Sequence, residues 1–260
     1  MLSVSLAKGI RGIPGVPTLL QTETGRSVTP TGNRLLDALP PAMCDTILRA
    51  GRMVDLPVRT CLSNPGETPS AVYLLTRGVT SIVVNMASGG SAEVGMVGNE
   101  GIINAAALIG PSPAHSETFI QLAASGLRVP LRAFRELFEQ EAELRHYVLQ
   151  FIQAQVVITS QLSACNRLHE AEQRLARWLL TAADLLHADT MLLTQEFLAE
   201  MLGAQRTTVA LVAGALQRGK LIDYSRGLLH ITDRAGLERT ACDCYQVNRQ
   251  ALARLYQSRF

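Results

Sequence analysis

The stretch from Leu193 to Ile231 constrains the fold of this chain most strongly, because two short helical patterns are separated by a single turn signal. Thr194 can cap a first helix over Gln195 to Leu202, since its side-chain oxygen can accept from a free N–H of the first turn. Gly203 follows directly, where a helix end requires positive φ. A second helix is predicted from Arg206 to about Gln217, because apolar residues recur there at helical spacing, as in a helix-turn-helix. These apolar residues are Val209, Val212, Ala213 and Leu216.

Two short strand patterns follow the second helix and complete a winged helix-turn-helix. They run from Leu221 to Ile231 around the turn Ser225–Gly227. Between Gly203 and Gly227 four basic residues accompany one acidic residue, although the whole chain carries a net charge of only +2. The basic residues are Arg206, Arg218, Lys220 and Arg226, and the acidic residue is Asp223. This local excess is typical of a surface that faces phosphates.

The outer face of the second helix carries residue types that read DNA. Arg206 can donate two hydrogen bonds to guanine, and the Thr207 methyl group can contact thymine. Ala210 and Gly214 are small enough for close approach to a major groove. The pattern therefore predicts binding of double-stranded DNA. Two alternatives stay open, namely a helix pair that only packs and a winged helix that contacts protein.

Length and composition predict a two-domain globular protein. The 260 residues are too many for one winged helix, and 47% apolar with 18% charged residues is ordinary for a folded chain. Five scattered cysteines favour reduced thiols and a cytoplasmic location. Glycines and prolines interrupt any signal-peptide core near the N-terminus, and residues 1–30 are predicted to be a flexible tail. No apolar run approaches the ~20 residues that span a bilayer, so no membrane contact is expected.

Residues 31–130 are predicted to form a β-rich domain. Ala71–Leu75 and Val79–Val84 flank Arg77-Gly78, which is a hairpin signal. A short helical segment is predicted at Ile102–Leu108. Further short runs are separated by turn residues, and they lie at Met53–Leu56, Ala92–Val97, Thr118–Leu122 and Gly126–Val129. Many short strands at this spacing indicate a small sandwich or barrel.

Helical patterns follow the β-rich domain, a short one at Arg132–Glu139 and a long one at about Glu143–Asn166. Along the long helix, mostly apolar residues alternate at spacings of four and three. They are Leu144, Val148, Phe151, Gln155, Ile158, Leu162 and Cys165. Such a heptad seam predicts a two-stranded coiled coil and hence a homodimer. The alternative is a helix that lies on its own β-domain. Because Tyr147, Ile152 and Val156 form a second apolar side, a helix that does both also stays open.

The segments after the long helix belong to the DNA-binding unit. Arg167–Glu170 is predicted to be a hinge, and Glu172–Leu186 is predicted to be a further helix that supports the helix-turn-helix. The two helices after the β-domain therefore occupy residues 131–168. The winged helix-turn-helix domain is placed at 169–245, and a C-terminal tail at 246–260.

This order of tail, β-domain, long helix and winged helix-turn-helix resembles the Crp/Fnr superfamily of bacterial transcription regulators, over roughly residues 31–245. The resemblance implies an α+β fold with an N-terminal β-roll or jelly-roll effector domain, a long dimerisation helix and a C-terminal winged helix-turn-helix. It is strongest within the winged helix-turn-helix, where Leu202–Val209 is similar to the family's turn and recognition-helix signature.

The resemblance also implies a set of DNA contacts, in which an arginine reads a base and its neighbours contact phosphates. The predicted set is Gln205, Arg206, Thr207, Thr208 and Arg226. Arg206 and Thr207 are expected to read bases, and the other three to position the DNA backbone. An acidic base-reading residue is common in the family where Thr207 stands, and many members have a second arginine where Leu211 stands. The DNA sequence read by this chain is therefore expected to differ from the best-known sites of the family.

In cyclic-nucleotide-binding members, a short helix carries a glutamate for the ribose, and a nearby arginine contacts the cyclic phosphate. Asn104 and Ala114 stand at these places here, and no arginine occurs from Val79 to Leu127. Since burying a phosphate without a cation is costly, cyclic AMP is not expected to be the effector, whose identity is left open. Candidate effector-pocket residues are Glu100, Asn104, Thr159 and Ser160. Glu100 is an alternative acid for the ribose. Thr159 and Ser160 match a pair that contacts the nucleotide base in such members; the alternative is that they are two small polar residues beside the helix seam.

No cofactor and no metal site are predicted. Cys44 and Cys61 stand alone, whereas the family's iron–sulfur members carry a cysteine cluster near the N-terminus. Cys242 and Cys244 form a C-x-C pair, but a metal would need at least two more ligands. A metal or redox role for this pair and haem binding through a histidine stay open. The sequence lacks a nucleophile elbow, a glycine-rich phosphate loop and an HExxH motif, so it is not expected to be an enzyme.

The leading functional hypothesis is a sequence-specific transcription regulator that binds a palindromic site as a homodimer. Its β-roll would control the two winged helices allosterically. RNA polymerase is a further candidate partner. The alternative is a small-molecule sensor whose output is a protein contact and whose winged helix no longer reads DNA.

Overall fold

The computed structural model describes residues 30–87, 89–110 and 113–257. Apart from Pro30, the predicted tail at 1–30 lies outside these residues. Two short helices, α1 (Arg34–Ala38) and α2 (Pro41–Ala50), precede the sheet. Asn33 caps α1, because its side chain accepts a hydrogen bond from the Leu36 N–H. Neither helix is predicted from the sequence, since segments of 5 and 10 residues contain too few turns for a helical period to stand out.

An antiparallel sheet follows and forms most of the N-terminal domain. Its strands are β1 (Arg52–Leu56), β2 (Cys61–Ser63), β3 (Ala71–Asn85), β4 (Ser91–Val97) and β5 (Glu117–Pro130). The strand order is β1-β5-β3-β4, and β2 also pairs with β5. A short 3-10 helix, Ala105–Leu108, lies between β4 and β5. The predicted β-domain at the start of an α+β chain is confirmed.

The predicted hairpin at Arg77-Gly78 is wrong, because β3 runs straight through it. Gly78 has a φ of 87°, and a Cβ atom there would lie 2.4 Å from the Cα atom of Ala124 on β5. The register between β3 and β5 shifts on both sides of this glycine. The glycine therefore marks a bulge and a close approach of two strands, which leave the same signal in a sequence as a turn. Similarly, the runs predicted at Thr118–Leu122 and Gly126–Val129 belong to the single strand β5.

The helices α3 (Leu131–Gln140), α4 (Ala142–Leu168) and α5 (Ala171–Leu186) connect the sheet to the C-terminal domain and agree with the helices predicted there. Only His169 and Glu170 separate α4 from α5. Glu170 begins α5 with a capping box, in which its side chain and that of Gln173 each accept from a backbone N–H of the other residue. The connection between the two domains is therefore short and well bonded.

The predicted dimer seam on α4 faces the interior of its own chain, which corrects that assignment. The seam residues are Leu144, Val148, Phe151, Gln155, Ile158 and Leu162. The apolar ones are between 0% and 6% exposed, and the glutamine is half-buried. A heptad pattern records which side of a helix is buried, but it does not tell whether a second chain or the same chain covers that side. The opposite side of α4 exposes Leu149, Val156 and Val157.

By length and composition alone, α4 is long and apolar enough to cross a membrane. The core helix of a soluble protein passes the same test, and α4 buries one side against β4 and α3. The helix is therefore only weak support for a membrane contact.

The C-terminal domain is the predicted winged helix-turn-helix. Its elements are β6 (Thr190–Leu192), α6 (Gln195–Leu202), α7 (Arg206–Arg218), β7 (Ile222–Ser225), β8 (Leu228–Ile231) and α8 (Arg234–Thr240). The N–H of Phe197 donates to Thr194 Oγ1 at 3.1 Å, and Gly203 ends α6 with a φ of 57°. Arg226 and Gly227 have φ values of 51° and 81°, as tight hairpin turns require. The strands pair in the order β6-β8-β7.

A last helix, α9 (Cys244–Ala253), occupies part of the predicted C-terminal tail at 246–260 and corrects that prediction. It packs along α4 and buries Cys244, Tyr245 and Asn248. The buried side of α9 mixes thiol, aromatic and amide groups, so an apolar period is hard to recognise in its sequence.

The two domains share a hydrophobic cluster. Helix α5 packs against β3, and α6 packs against β4. The sheet contributes Val79, Val83, Met96, Phe119 and Leu122 to this cluster. From the C-terminal domain it includes Trp178, Phe197, Leu198 and Met201. The sheet and the helix-turn-helix are therefore held together through buried apolar surface.

Candidate nucleic-acid interface, effector cavity and thiol cluster

Helix α7 is anchored on one side and open on the other. The buried side packs against α5 and α6 and consists of Val209, Ala213 and Leu216. The opposite side presents the predicted DNA contacts, which are Gln205, Arg206, Thr207 and, half-buried, Thr208. The sequence-predicted contacts of this helix thus lie together at the surface.

Hydrogen bonds to the backbone fix the angle between α6 and α7. After Gly203 has turned the chain, the Ala204 N–H donates to the Ala199 carbonyl at 3.0 Å. Arg174 of α5 donates to the Leu202 carbonyl at 3.2 Å, which satisfies one of the last free acceptors of α6. The orientation of α7 is therefore set by α5 and α6.

The wing carries Arg226 at its exposed tip. Tyr224 of β7 donates its hydroxyl to the Leu193 carbonyl at 2.9 Å, which ties the wing to the segment before α6. Burial raises the pKa of Tyr224, and the charge of Arg206 opposes that rise, so Arg206 lies close to β7. Leu211, on the outer side of α7, is 72% exposed. The cationic start of α7 and the wing are therefore neighbouring parts of one surface.

A buried carboxyl group lies in the contact between the sheet and α5. Glu93 of β4 accepts a hydrogen bond from the indole Nε1 of Trp178 at 2.9 Å, and its other oxygen lies 2.6 Å from Ser81 Oγ. Burial raises the pKa of Glu93 to about 8, although Ser81, Arg177 and Trp178 act in the opposite direction. At neutral pH this carboxyl group is therefore mainly protonated in the folded protein.

An ion pair lies at the edge of the same contact. Arg59, between β1 and β2, pairs with Glu200 of α6 at 2.9 Å. Its guanidinium lies 4.9 Å from the ring centre of Phe119 and 5.0 Å from that of Phe197. These distances suit a cation–π attraction. One aromatic ring from each domain thus contacts the same cation.

A cavity of about 500 Å³ lies between the sheet, the 3-10 helix and α4. Asn104, Thr159 and Ser160, which were predicted to line an effector pocket, all line it. Asn104 has a φ of 65° and donates its amide to the Ala71 carbonyl at 3.0 Å. Thr159 donates its hydroxyl to the Val94 carbonyl at 3.2 Å. Part of the polar lining is therefore held in place by the strands.

Glu100 does not line this cavity, which corrects its prediction as a contact there. Its carboxylate accepts from the Gly98 N–H at 2.9 Å, and the residue is 2% exposed. Burial raises the pKa of Glu100 to about 6. The residue borders a different cleft, between the sheet and the helices α5 and α9, because the turn after β4 directs it away from the 3-10 helix.

The lining of the cavity is apolar or neutral in its described part. Aliphatic and aromatic side chains such as Ile82, Val97 and Phe151 dominate, and hydroxyl and amide groups supply the polar atoms. His115 is the one titratable side chain among the described lining residues, and no lysine or arginine joins it there. A bound anion would therefore find no permanent cation in this lining.

A cluster of thiols lies where the end of α4 meets the segment between α8 and α9. The ligand atoms of Cys165, His169, Cys242 and Cys244 all lie within 4.8 Å of one another. Cys165 and His169 are thus the two further ligands that the C-x-C pair would need in order to bind a metal. Because 77 positions separate Cys165 from Cys242, only the helical spacing of Cys165 and His169 could have signalled the cluster. A hydrogen bond with Cys242 lowers the pKa of Cys165 to about 5, and the charge of Arg177 acts in the same direction.

A helix-turn-helix is a recurrent DNA-binding motif, in which the second helix enters the major groove. Residues 173–240 match the family model of the Crp-like helix-turn-helix domain. A comparison with curated protein sequences finds no match.

Solved structures share the overall fold. A Crp/Fnr-family transcriptional regulator from Eubacterium rectale aligns with a TM-score of 0.64 at 16% identity, over 80% of this chain and 98% of that chain. A CRP-family transcriptional regulator from Thermus thermophilus aligns with a TM-score of 0.60 at 21% identity, over 73% and 96%. A c-di-GMP-responsive global regulator from Xanthomonas campestris aligns with a TM-score of 0.62 at 15% identity, over 74% and 99%.

The chain therefore contains a Crp-like helix-turn-helix domain at residues 173–240 and shares the overall fold of solved Crp/Fnr-family structures. The resemblance and the fold class expected from the sequence are confirmed.

Proposed function

We propose that the protein regulates transcription as a homodimer that binds a palindromic DNA site through α7. The observation that carries this proposal is the first turn of α7, which is anchored from behind and exposes Gln205, Arg206 and Thr207. Arg206 and Thr207 are proposed to read base edges in the major groove. Gln205, Thr208 and Arg226 are proposed to position the DNA backbone.

Leu211 gives this chain a different reading surface from members with an arginine at that place. Its exposed side chain lies one helical turn beyond Thr207 on the same side of α7. An apolar side chain in the major groove can contact the methyl group of thymine. We therefore expect a preference for thymine at the base step that Leu211 reaches.

The exposed side of α4 is the proposed dimer interface. Leu149, Val156 and Ser160 recur there at spacings of seven and four residues, and Val156 is 60% exposed. A largely apolar stripe of this kind can pack against the same stripe of a second chain across a two-fold axis. Two α7 helices would then reach half-sites about one helical turn of DNA apart.

The cavity beside α4 is the proposed effector site. Its described lining is neutral, so an uncharged or weakly polar small molecule fits it better than cyclic AMP. The same argument keeps the c-di-GMP response of the Xanthomonas regulator from being extended to this chain. Val156 and Ser160 belong both to this lining and to the exposed side of α4. A ligand would therefore touch residues that also face the partner chain, which supports allosteric coupling.

Selection of DNA fragments by the purified, ligand-free protein tests the proposal. Enrichment of a two-fold palindrome is expected, and Arg206→Glu should abolish it. Arg49→Glu, an equal charge reversal at an exposed arginine on α2, should leave the selected sequence unchanged. If a folded dimer enriches nothing without ligand but a palindrome after addition of a cell extract, the regulator is supported and the ligand-free form is inactive. If neither condition enriches DNA, the proposal fails.

Calorimetric titration with cyclic AMP tests the effector assignment separately. No heat of binding is expected at micromolar ligand. Saturable micromolar binding would overturn the argument from the neutral lining without affecting the DNA-binding proposal.

The second candidate function is a sensor whose winged helix contacts protein. The local excess of Arg206, Arg218, Lys220 and Arg226 disfavours it, since these side chains are exposed. DNA affinity that falls steeply as salt rises would identify phosphate contacts and reject this alternative. RNA polymerase remains a candidate second partner of the regulator, and the free cysteines fit action in the reducing cytoplasm.

A further inference from the structure

Three cysteines and a histidine converge at the junction between α4 and the segment that links α8 to α9. The Sγ atoms of Cys165 and Cys242 are 3.5 Å apart, and Cys244 Sγ lies 3.5 Å from His169 Nδ1. Tetrahedral zinc with Zn–S bonds of about 2.3 Å places its sulfur ligands about 3.8 Å apart. We propose that Cys165, His169, Cys242 and Cys244 bind a single zinc(II) ion as a Cys3His site.

The backbone brings these ligands together in two pairs. Cys165 and His169 are four residues apart at the end of α4, so they lie on the same side of the helix. Cys242 and Cys244 lie at the start of α9, on either side of Asp243. Two ligands from a helix end and two from a tight segment form a set that needs no large rearrangement to close around an ion.

The neighbours of the cluster match those of a zinc site. The Nε2 atom of His169 lies 3.5 Å from Asp243 Oδ1, which leaves Nδ1 free to face the ion. A carboxylate on the far nitrogen of a histidine ligand is the usual support for zinc. Gln161 also donates a hydrogen bond to Cys244 Sγ at 3.1 Å. Both contacts orient ligand atoms toward the centre of the cluster.

A buried cation, Arg177, lies near the cluster. Arg177 of α5 is 4% exposed, and it forms no ion pair within the part of the chain that the structure describes. Its charge acts on both Cys165 and Cys242. Three thiolates with one zinc(II) carry one net negative charge, which Arg177 would balance.

Other uses of these thiols fit the arrangement less well. A disulfide would join two sulfur atoms and leave the third thiol and the imidazole without a role. An iron–sulfur cluster needs ligands arranged around several irons, whereas all four ligand atoms here lie within 4.8 Å of one another. Three thiolates and one imidazole in tetrahedral array are the ligand set that zinc prefers.

The ion would hold the end of α4 against the start of α9. His169 also stands in the two-residue connection that leads into the winged helix-turn-helix. The site would therefore brace the joint between the long helix and the DNA-binding domain. This consequence rests on the proposed regulatory function, whereas metal binding itself does not.

Metal analysis and cobalt substitution of the full-length protein, purified under reducing conditions, test the site. One tightly held zinc per chain is expected. After its removal, one cobalt(II) per chain should produce the visible bands of a tetrahedral ion and a sulfur-to-cobalt charge-transfer band. Cys242→Ser and Cys244→Ser should lose these bands, and Cys44→Ser, a change to a buried thiol elsewhere, should keep them.

A variant at an exposed residue keeps the test independent of folding. Asp243→Asn removes the carboxylate behind His169 and should weaken zinc binding about 10–100-fold while the protein stays folded. A folded, reduced wild-type protein that binds neither zinc nor cobalt would overturn the proposal. So would a Cys242→Ser variant that retains the cobalt spectrum, or a native Cys165–Cys242 disulfide in place of metal. DNA binding need not be measured, so failure here is distinct from failure of the proposed function.

Discussion

Arg206 and Arg226 are both exposed cations of the DNA-binding domain, but they stand on different elements and differ in proposed role. Arg206→Ala should cost about 1–3 kcal/mol of binding free energy and relax the choice of base at one position of each half-site. Arg226→Ala should weaken binding to all sequences alike and reduce the salt dependence by about one phosphate contact. Competition binding against single-base variants at several salt concentrations measures both effects. Equal loss on every sequence for Arg206→Ala would make it a phosphate contact.

Glu93 should make the stability of the protein depend on pH. Its pKa is raised from an ordinary value of 4.5 to about 8 in the folded state, chiefly by burial. Between these values the unfolded chain loses a proton that the folded protein keeps. The free energy of unfolding should therefore fall as pH rises, by up to about 1.4 kcal/mol per pH unit, and the fall should level off above the folded pKa.

Denaturant titrations from pH 5 to pH 9 on the Glu93→Gln variant measure this contribution. Glutamine keeps an acceptor for Trp178 and a donor for Ser81 but does not ionise. The variant should lose this fall in stability and gain relative to the wild type as pH rises. Glu136→Gln, a change in an exposed pair with Arg132, should follow the wild-type curve. A Glu93→Gln curve parallel to that of the wild type would refute the protonated state of Glu93.

At the scale of elements, the two sides of α4 should respond differently to a charge. Val156→Glu places like charges opposite each other across the proposed two-fold axis, so it should shift the dimer to monomer. Val148→Glu buries a charge inside the chain, since Val148 is fully buried, and it should unfold the N-terminal domain instead. Sedimentation velocity with circular dichroism separates dissociation from unfolding.

Met86→Glu is the control for the change at Val156, because Met86 is an exposed apolar residue between β3 and β4. It should leave the oligomeric state unchanged. A Val156→Glu variant that remains dimeric would place the dimer interface elsewhere than on the exposed side of α4.

The close approach of β3 to β5 should make Gly78 intolerant of a side chain. Gly78→Ala meets both a positive φ and the backbone of Ala124, and it should lower the free energy of unfolding by more than about 1–3 kcal/mol. Gly89→Ala is the matched control, since Gly89 has a φ of 90° with open space around it. Thermal unfolding of both variants separates the cost of the positive φ from the cost of the steric clash with Ala124. Equal losses would mean that the strands can move apart.

Elements whose signals are local could be predicted from the sequence. Thr194, Gly203 and the turn at Arg226 each act within a few residues, so α6, α7 and the wing were predicted nearly to their ends. The prediction of a hairpin at Gly78 was wrong because a glycine inside a long strand and a glycine in a turn look alike in a sequence. The assignment of the α4 seam to a dimer interface was wrong for a related reason, since burial leaves the same heptad pattern whether a second chain or the same chain covers the helix.

At the scale of the whole molecule, contacts between distant segments could not be predicted. The cavity lining was only partly predicted, because the direction of Glu100 depends on a turn that the sequence does not specify. The thiol cluster and the docking of α6 on the sheet bring together residues far apart in the chain, such as Cys165 and Cys242. No pattern among neighbouring residues indicates such long-range pairs.

The contact between Glu93 and Trp178 also has a spectroscopic consequence. Trp178 is the only tryptophan of the chain, and it lies buried where α5 meets the sheet, with its ring edge-on to Phe197 at 6.3 Å. Its fluorescence therefore reports on this one joint. If an effector separates the DNA-binding domain from the sheet, the emission should shift to longer wavelength as water reaches the indole. The protein thus contains an intrinsic optical probe with which ligands of the cavity can be screened without any label.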